Sequence, residues 1–207
     1  MIKRTMGRSL LTLLVITGLA GTINDNSLSK KERKFGVSLL KETRDEAINA
    51  TKGLSDAQLN YKAAPEKWSV KECFYHIAGA EKLLWTMFEG TMKAPANPEK
   101  RSEIKVTDEQ VVKMIQDRTS KAQAPEPIQP KNTGFASLEA AVEDFKKSRG
   151  EHIKYLKNST EDLRNHVVQF PFGYIDCYQF LLFMSAHSNR HTQQMNEVKA
   201  TSGFPVK

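Results

Sequence analysis

Five histidines are spread over the 207 residues, and two of them, His187 and His191, fall four apart in LLFMSAHSNRHTQQMNEV, residues 181–198. That stretch holds neither proline nor glycine. Leu181, Met184, Ser185, Ser188, Met195 and Val198 recur at spacings that predict a single helix. Four residues is slightly more than one turn, so both imidazoles share a face, with Cβ atoms roughly 5–6 Å apart. Side chains can close that gap to the roughly 3 Å that separates two nitrogens bound to one metal ion. Two ligands on one turn hold an ion weakly, so a third must come from another element.

His76 is the candidate for that third position. It lies in a second helical stretch, opened by the capping box Ser69 to Glu72, whose apolar face is Val70, Cys73, Phe74, Ile77, Leu84 and Phe88. His76 falls near the line of Cys73 and Ala80, away from Lys71 and Lys82. A lone histidine on an apolar face is ordinarily a core residue with its nitrogens satisfied by backbone or water. Three on the inner faces of two helices can bind a divalent ion and leave a fourth position for water or substrate. His152 and His166 stand beside charged and polar residues and read as solvated. Glu72, one turn before His76, is within reach as acid, base or ligand support, although its first use is the cap. Asn189 and Gln194 can support the ligands from behind. Trp68 and Trp85 read as core anchors.

Four long helices must position these residues. The box Ser29 to Glu32 opens the first, with Phe35, Leu39, Leu40, Thr43, Ala47, Ala50 and Leu54 as its inward stripe and Gly53 as its stop. Ser55 to Gln58 starts a short turn, and Tyr61 to Lys67 is a loop. The second long helix runs from Ser69 to about Met92. Thr107 and Gln110 open a short helix to about Ala122, and Pro125, Pro127 and Pro130 keep the next stretch extended. A third long helix follows from Ser137 to Leu156, with Leu138, Ala141, Phe145 and Ile153 inward. Residues 165–174 read as irregular, and Asp176 caps the last helix. With no convincing strand, the pattern is all-α: a four-helix bundle over 27–207 with a short extra helix in a long connection.

The first residues, MIKRTMGR followed by SLLTLLVITGLAG, form a basic segment and an apolar run with small residues at Gly18 and Ala20. A dozen apolar residues fall short of the ~20 that span a bilayer. Residues 1–20 therefore read as a cleaved signal peptide, the mature chain as exported to the periplasm or secreted, with no stable membrane anchor. Cleavage removes Lys3, Arg4 and Arg8 and takes the formal charge from +7 to +4. The remaining lysines are interleaved with acids as on solvated helix faces, and no basic block with aromatics appears, which argues against nucleic acid as a partner. A small-molecule substrate and, as a further partner, a second copy in a homodimer remain. An exported chain with two cysteines invites a disulfide. Setting His76 level with residue 189 offsets Cys73 and Cys177 by about 13 Å or 22 Å along their helices, beyond the ~7 Å limit, so two free buried thiols are expected.

Three stretches carry a resemblance: SDAQLNYKAAPEKW at 55–68, WSVKECFYHIAGAEKLLW at 68–85 and GYIDCYQFLLFMSAHSNRHTQQM at 173–195. In these the chain resembles the DinB-like (DinB/YfiT-type) metal-dependent proteins over most of its mature length. The resemblance implies an up-down-down-up four-helix bundle with a divalent metal, zinc or nickel, and matches His76, His187 and His191 to the family's three-histidine ligand set. Relatives include hydrolases and thiol-dependent transferases. The signal peptide sets this chain apart from the thiol-using members, which work in the cytosol. The expected function is an exported metal-dependent hydrolase. Two alternatives stand beside it, a non-catalytic metal- or small-molecule-binding bundle and a thiol-dependent transferase.

Overall fold

The structure, a computed structural model, describes residues 28–120 and 123–206. The signal peptide expected at 1–20, the domain start expected at residue 27 and Lys207 lie outside them. The elements in order are helices α1 (Lys30–Thr51), α2 (Asp56–Asn60), α3 (Val70–Lys93), α4 (Asp108–Gln116) and α5 (Leu138–Asn158), strands β1 (Val167–Phe170) and β2 (Gly173–Asp176), and helix α6 (Cys177–Lys199). Five of the six helices open on a capping box, formed by Ser29 with Glu32, Ser55 with Gln58, Ser69 with Glu72, Thr107 with Gln110 and Asp176 with Gln179. In each, the two side chains satisfy amide donors that a helix start leaves free.

Several expectations need correction. Helix α4 stops at Gln116 rather than near Ala122, because the Asp117 carboxylate accepts hydrogen bonds from the Thr119 amide and hydroxyl and turns the chain. The stretch 165–174, read as irregular, contributes most of an antiparallel hairpin over 167–176, with Val167 opposite Asp176 and Phe170 opposite Gly173. Gly173 closes its turn at φ 128°, a conformation other residues rarely adopt. Phe35 faces outward, 41% exposed, because Gly36 takes the inward position on α1. A Cβ on Gly36 would meet Leu156 at 2.7 Å and Tyr178 at 3.1 Å, so helices α5 and α6 close on α1 there.

Contacts along the helices fix their directions. Glu32 of α1 meets Tyr178 at the start of α6, and Ala50 meets Lys199 at its end, so these two run parallel. Phe74 and Phe88 of α3 meet Phe145 and Tyr155 of α5, again parallel. Phe88 also meets Phe180, while His76 meets His191, so α3 opposes α6. The order is up-down-down-up, with α1 and α3 on one diagonal of the bundle. Two apolar clusters fill it. One surrounds Phe74, Phe145 and Met195, and the other surrounds Phe88, Phe180 and Leu156. Cys73 belongs to the first and Cys177 to the second, and both are free and buried. Burial pushes the Cys177 thiol up to about 12 and Cys73 higher, so neither supplies a thiolate.

Between the two clusters lies a buried polar knot. Arg149 of α5 is 0% exposed and forms two 2.6 Å bonds to Glu81 of α3. It also donates to Thr43 Oγ1 at 2.9 Å and Leu40 O at 3.3 Å on α1, and to Ser188 Oγ at 2.7 Å on α6. His152, expected in solvent, is buried here; its Nδ1 lies 2.7 Å from Glu81 and its ring stacks on Trp85. Burial alone would raise the Glu81 pKa, but the Arg149 charge and the His152 bond outweigh it and hold the carboxyl down at about 2. Replacing Arg149 with Met leaves that carboxylate buried without its cation. Urea unfolding at pH 7 should show a loss of about 3–5 kcal/mol, and a loss below about 1 kcal/mol would mean that the knot is dispensable.

Candidate metal centre

His76 sits in the second turn of α3, and His187 and His191 sit on consecutive turns of the antiparallel α6. The crossing brings all three together: one ligand nitrogen from each lies within 4.8 Å of those of the other two. His76 Nε2 is 3.4 Å from His187 Nε2, close to the edge of about 3.3 Å expected between two imidazole nitrogens on one tetrahedral ion.

The rings are held from behind. His76 Nδ1 is 2.7 Å from the Ile128 carbonyl, which can only accept, so Nδ1 carries the proton and Nε2 presents a lone pair to the cluster. His191 Nδ1 lies 3.0 Å from Gln194 Oε1, a bond that leaves its Nε2 free in the same way. Arg118 donates to the same Gln194 oxygen at 3.4 Å and forks onto Glu197 at 2.9 and 2.7 Å. Such outer partners orient the ligands of a metal site. Gln194 is on α6 itself, whereas Ile128 and Arg118 come from the connection after α4. That connection can approach α3 because Gly79 has no side chain, where a Cβ would lie 2.9 Å from Thr133.

Burial penalises the charged form of every ring in the cluster. His76 is lowered by desolvation against the opposing bond to Ile128, and His187 is lowered to about 3 by desolvation and then by His76. His191 is lowered well below its ordinary value by desolvation and by both neighbours. All three are therefore neutral at pH 7, the state in which an imidazole binds metal. The donor set fits a divalent ion.

A cleft of about 910 Å³ opens beside the cluster, walled by residues 62–72, by Arg118, Gln123, Ala124 and residues 129–131 of the connection, and by the end of α6. Trp68 lies in its wall with ring centroids 4.9 Å from His76 and 6.0 Å from His191, so it is more than the core anchor expected. Trp85 is remote, stacked on His152. Glu72 lines the cleft, with one oxygen on the Ser69 amide at 2.9 Å and the other on Lys62 at 2.8 Å. Asn189 turns away to Glu46, and His166 Nδ1 contacts the Thr91 carbonyl on the far side of the bundle. The supports from Ile128 and Arg118 escaped the sequence reading. The first is a main-chain atom, and the second lies in a stretch expected to be helical.

Residues 39–195 match the DinB superfamily. The chain belongs to the DinB superfamily. The chain is also 29% identical over 165 residues to the uncharacterized protein YuaE of Bacillus subtilis, a match that covers 79% of this chain and 96% of the relative. This DinB-superfamily bundle also superposes on Bacillus subtilis YfiT with a TM-score of 0.58 at 16% identity, over 86% of this chain and 92% of that one. YfiT is described as a probable metal-dependent hydrolase with an unusual four-helix bundle topology. At that identity the likeness shows the shared bundle.

The metal-free protein of this family member should be acid-sensitive. His187 has a lowered folded pKa, so as pH falls from its ordinary 6.5 towards about 3 the unfolded state takes up a proton that the folded state refuses, and stability is lost across that window. Urea titrations of metal-free protein should show a shallower decline for His187→Gln than for the wild type; identical slopes would overturn the assignment.

Proposed function

We propose that the chain is an exported metal-dependent hydrolase of small molecules, with His76, His187 and His191 as ligands to one zinc or nickel ion. The observation that carries this is the convergence of three neutral imidazoles beside a cleft large enough for a small substrate. The description of YfiT points the same way. A divalent ion held there supplies a Lewis acid for a substrate carbonyl and lowers the pKa of water towards 7. The protein's own contribution is orientation: Ile128 and Gln194 aim the ring nitrogens, and Trp68 shields them. Glu72 is the carboxylate placed on the cleft wall, but Lys62 and the Ser69 amide already engage it. That engagement favours a second reading, a bundle that binds metal or a small molecule without turning it over.

Protein purified without a histidine tag and incubated with zinc or nickel should hold about one ion per chain, and His76→Ala should lose it together with ester or amide hydrolysis. Protein that stays metal-free sinks both readings; bound metal with no turnover across ester and amide substrates leaves the second. The small-molecule partner belongs to the same proposal. Export rests on residues 1–20 alone. Expressed with its natural N-terminus, the chain should be recovered outside the cytosol, and sequencing should find it starting near residue 21. Recovery of chains that retain Met1 would argue against export.

A further inference from the structure

The cleft has a charge pattern that the ligand set does not use. Lys62, Lys67, Arg118, Lys131 and Arg190 line it, against Glu66, Glu72 and Glu197. Two of the acids are matched: Glu72 holds Lys62 at 2.8 Å, and Glu197 takes the Arg118 fork. Arg190 differs from both partners of those pairs. Its guanidinium donates to the main-chain oxygens of Ile115, at 3.4 Å, and Ser120. Each terminal nitrogen gives one N–H to a carbonyl and keeps a second, and a carbonyl does not cancel the charge. Asp117 and Glu197 are near enough to attract that charge, and Arg118 is near enough to repel it. Lys67 and Lys131 add exposed cations from opposite walls, one from the loop before α3 and one from the connection.

Trp68 lines the cleft together with these cations, and its ring packs on His76 and His191. The indole thus links the imidazoles, which are not themselves among the cleft-lining residues, to the cations that are. Resting on the hydrolase reading, we propose that the substrate is an anionic small molecule, with an apolar body against Trp68 and a carboxylate held by Arg190, Lys67 and Lys131 while its scissile bond faces the histidines. A guanidinium suits a carboxylate because its fixed fork matches the two oxygens, and an excess of cations, five against three acids, concentrates an oppositely charged ligand.

The test uses the full mature protein and a matched pair of probes, hippurate and hippuramide, which differ only in carboxylate against carboxamide. Calorimetric titration of zinc-loaded protein should show hippurate bound about tenfold or more tightly, the worth of one charge-assisted hydrogen bond. The preference should shrink in about 0.5 M salt. The triple variant Lys67→Ala, Lys131→Ala, Arg190→Gln should lose it while keeping its zinc, whereas Lys154→Ala, outside the cleft, should keep it. Equal affinities for the two probes, or binding of neither, overturns the proposal. So does a preference that survives in the triple variant, because the ion itself would then be holding the carboxylate. Metal analysis of the same samples separates the two failures. Protein without zinc refutes the hydrolase reading, and the carboxylate preference remains measurable in that metal-free sample.

Discussion

One side chain touches every long helix of this protein. Arg149 leaves α5 and reaches Leu40 and Thr43 on α1, Glu81 on α3 and Ser188 on α6. Apolar clusters above and below it supply most of the favourable burial, but apolar contacts tolerate rotation and sliding of one helix against another. A buried guanidinium does not, because each unmade bond would leave a charge or a donor stranded in low dielectric. Glu81 is five residues beyond His76 on α3, and Ser188 follows His187 on α6. The polar knot thus fixes the register of the two helices that present the histidine cluster, about one turn from it.

The cluster has the opposite character. Three imidazoles close together repel once any is charged, and burial discourages charging in the first place. The Glu81 carboxylate favours a proton on His187, but desolvation outweighs it. The molecule therefore keeps two polar centres close together under opposite rules. In one, all charges are present and paired. In the other, no charge is tolerated until an ion brings it.

Much of this was visible in the residues. Capping boxes at Ser29, Ser69 and Asp176 marked helix starts, since serine or aspartate followed three places on by glutamate or glutamine has a local cause that needs no tertiary contact. The histidines drew attention because helical spacing decides which residues share a face. What stayed hidden depends on neighbours distant in sequence. His152 is flanked by Glu151, so its burial follows only from Glu81, 71 positions away, and from the Trp85 ring. Phe35 turned outward because a glycine beside it admits two other helices. The hairpin at 167–176 was missed because its strands are four residues each, too short for alternation to stand out.

The parallel pairing of α3 with α5 has a geometric cost. Helix α3 ends at Lys93, and α5 must begin at the opposite end of the bundle, so the chain has to retrace about 35 Å, the length of a 24-residue helix. Helix α4 carries it back along the flank of α6, and residues 117–120 and 123–136 cross from α6 to α3 on the way to Ser137. That crossing segment buttresses His76 and His191 and forms one wall of the cleft. The same helices joined by tight hairpins in an alternating bundle would leave the histidines on an open seam. Here connectivity, rather than any added domain, encloses the place where chemistry can occur.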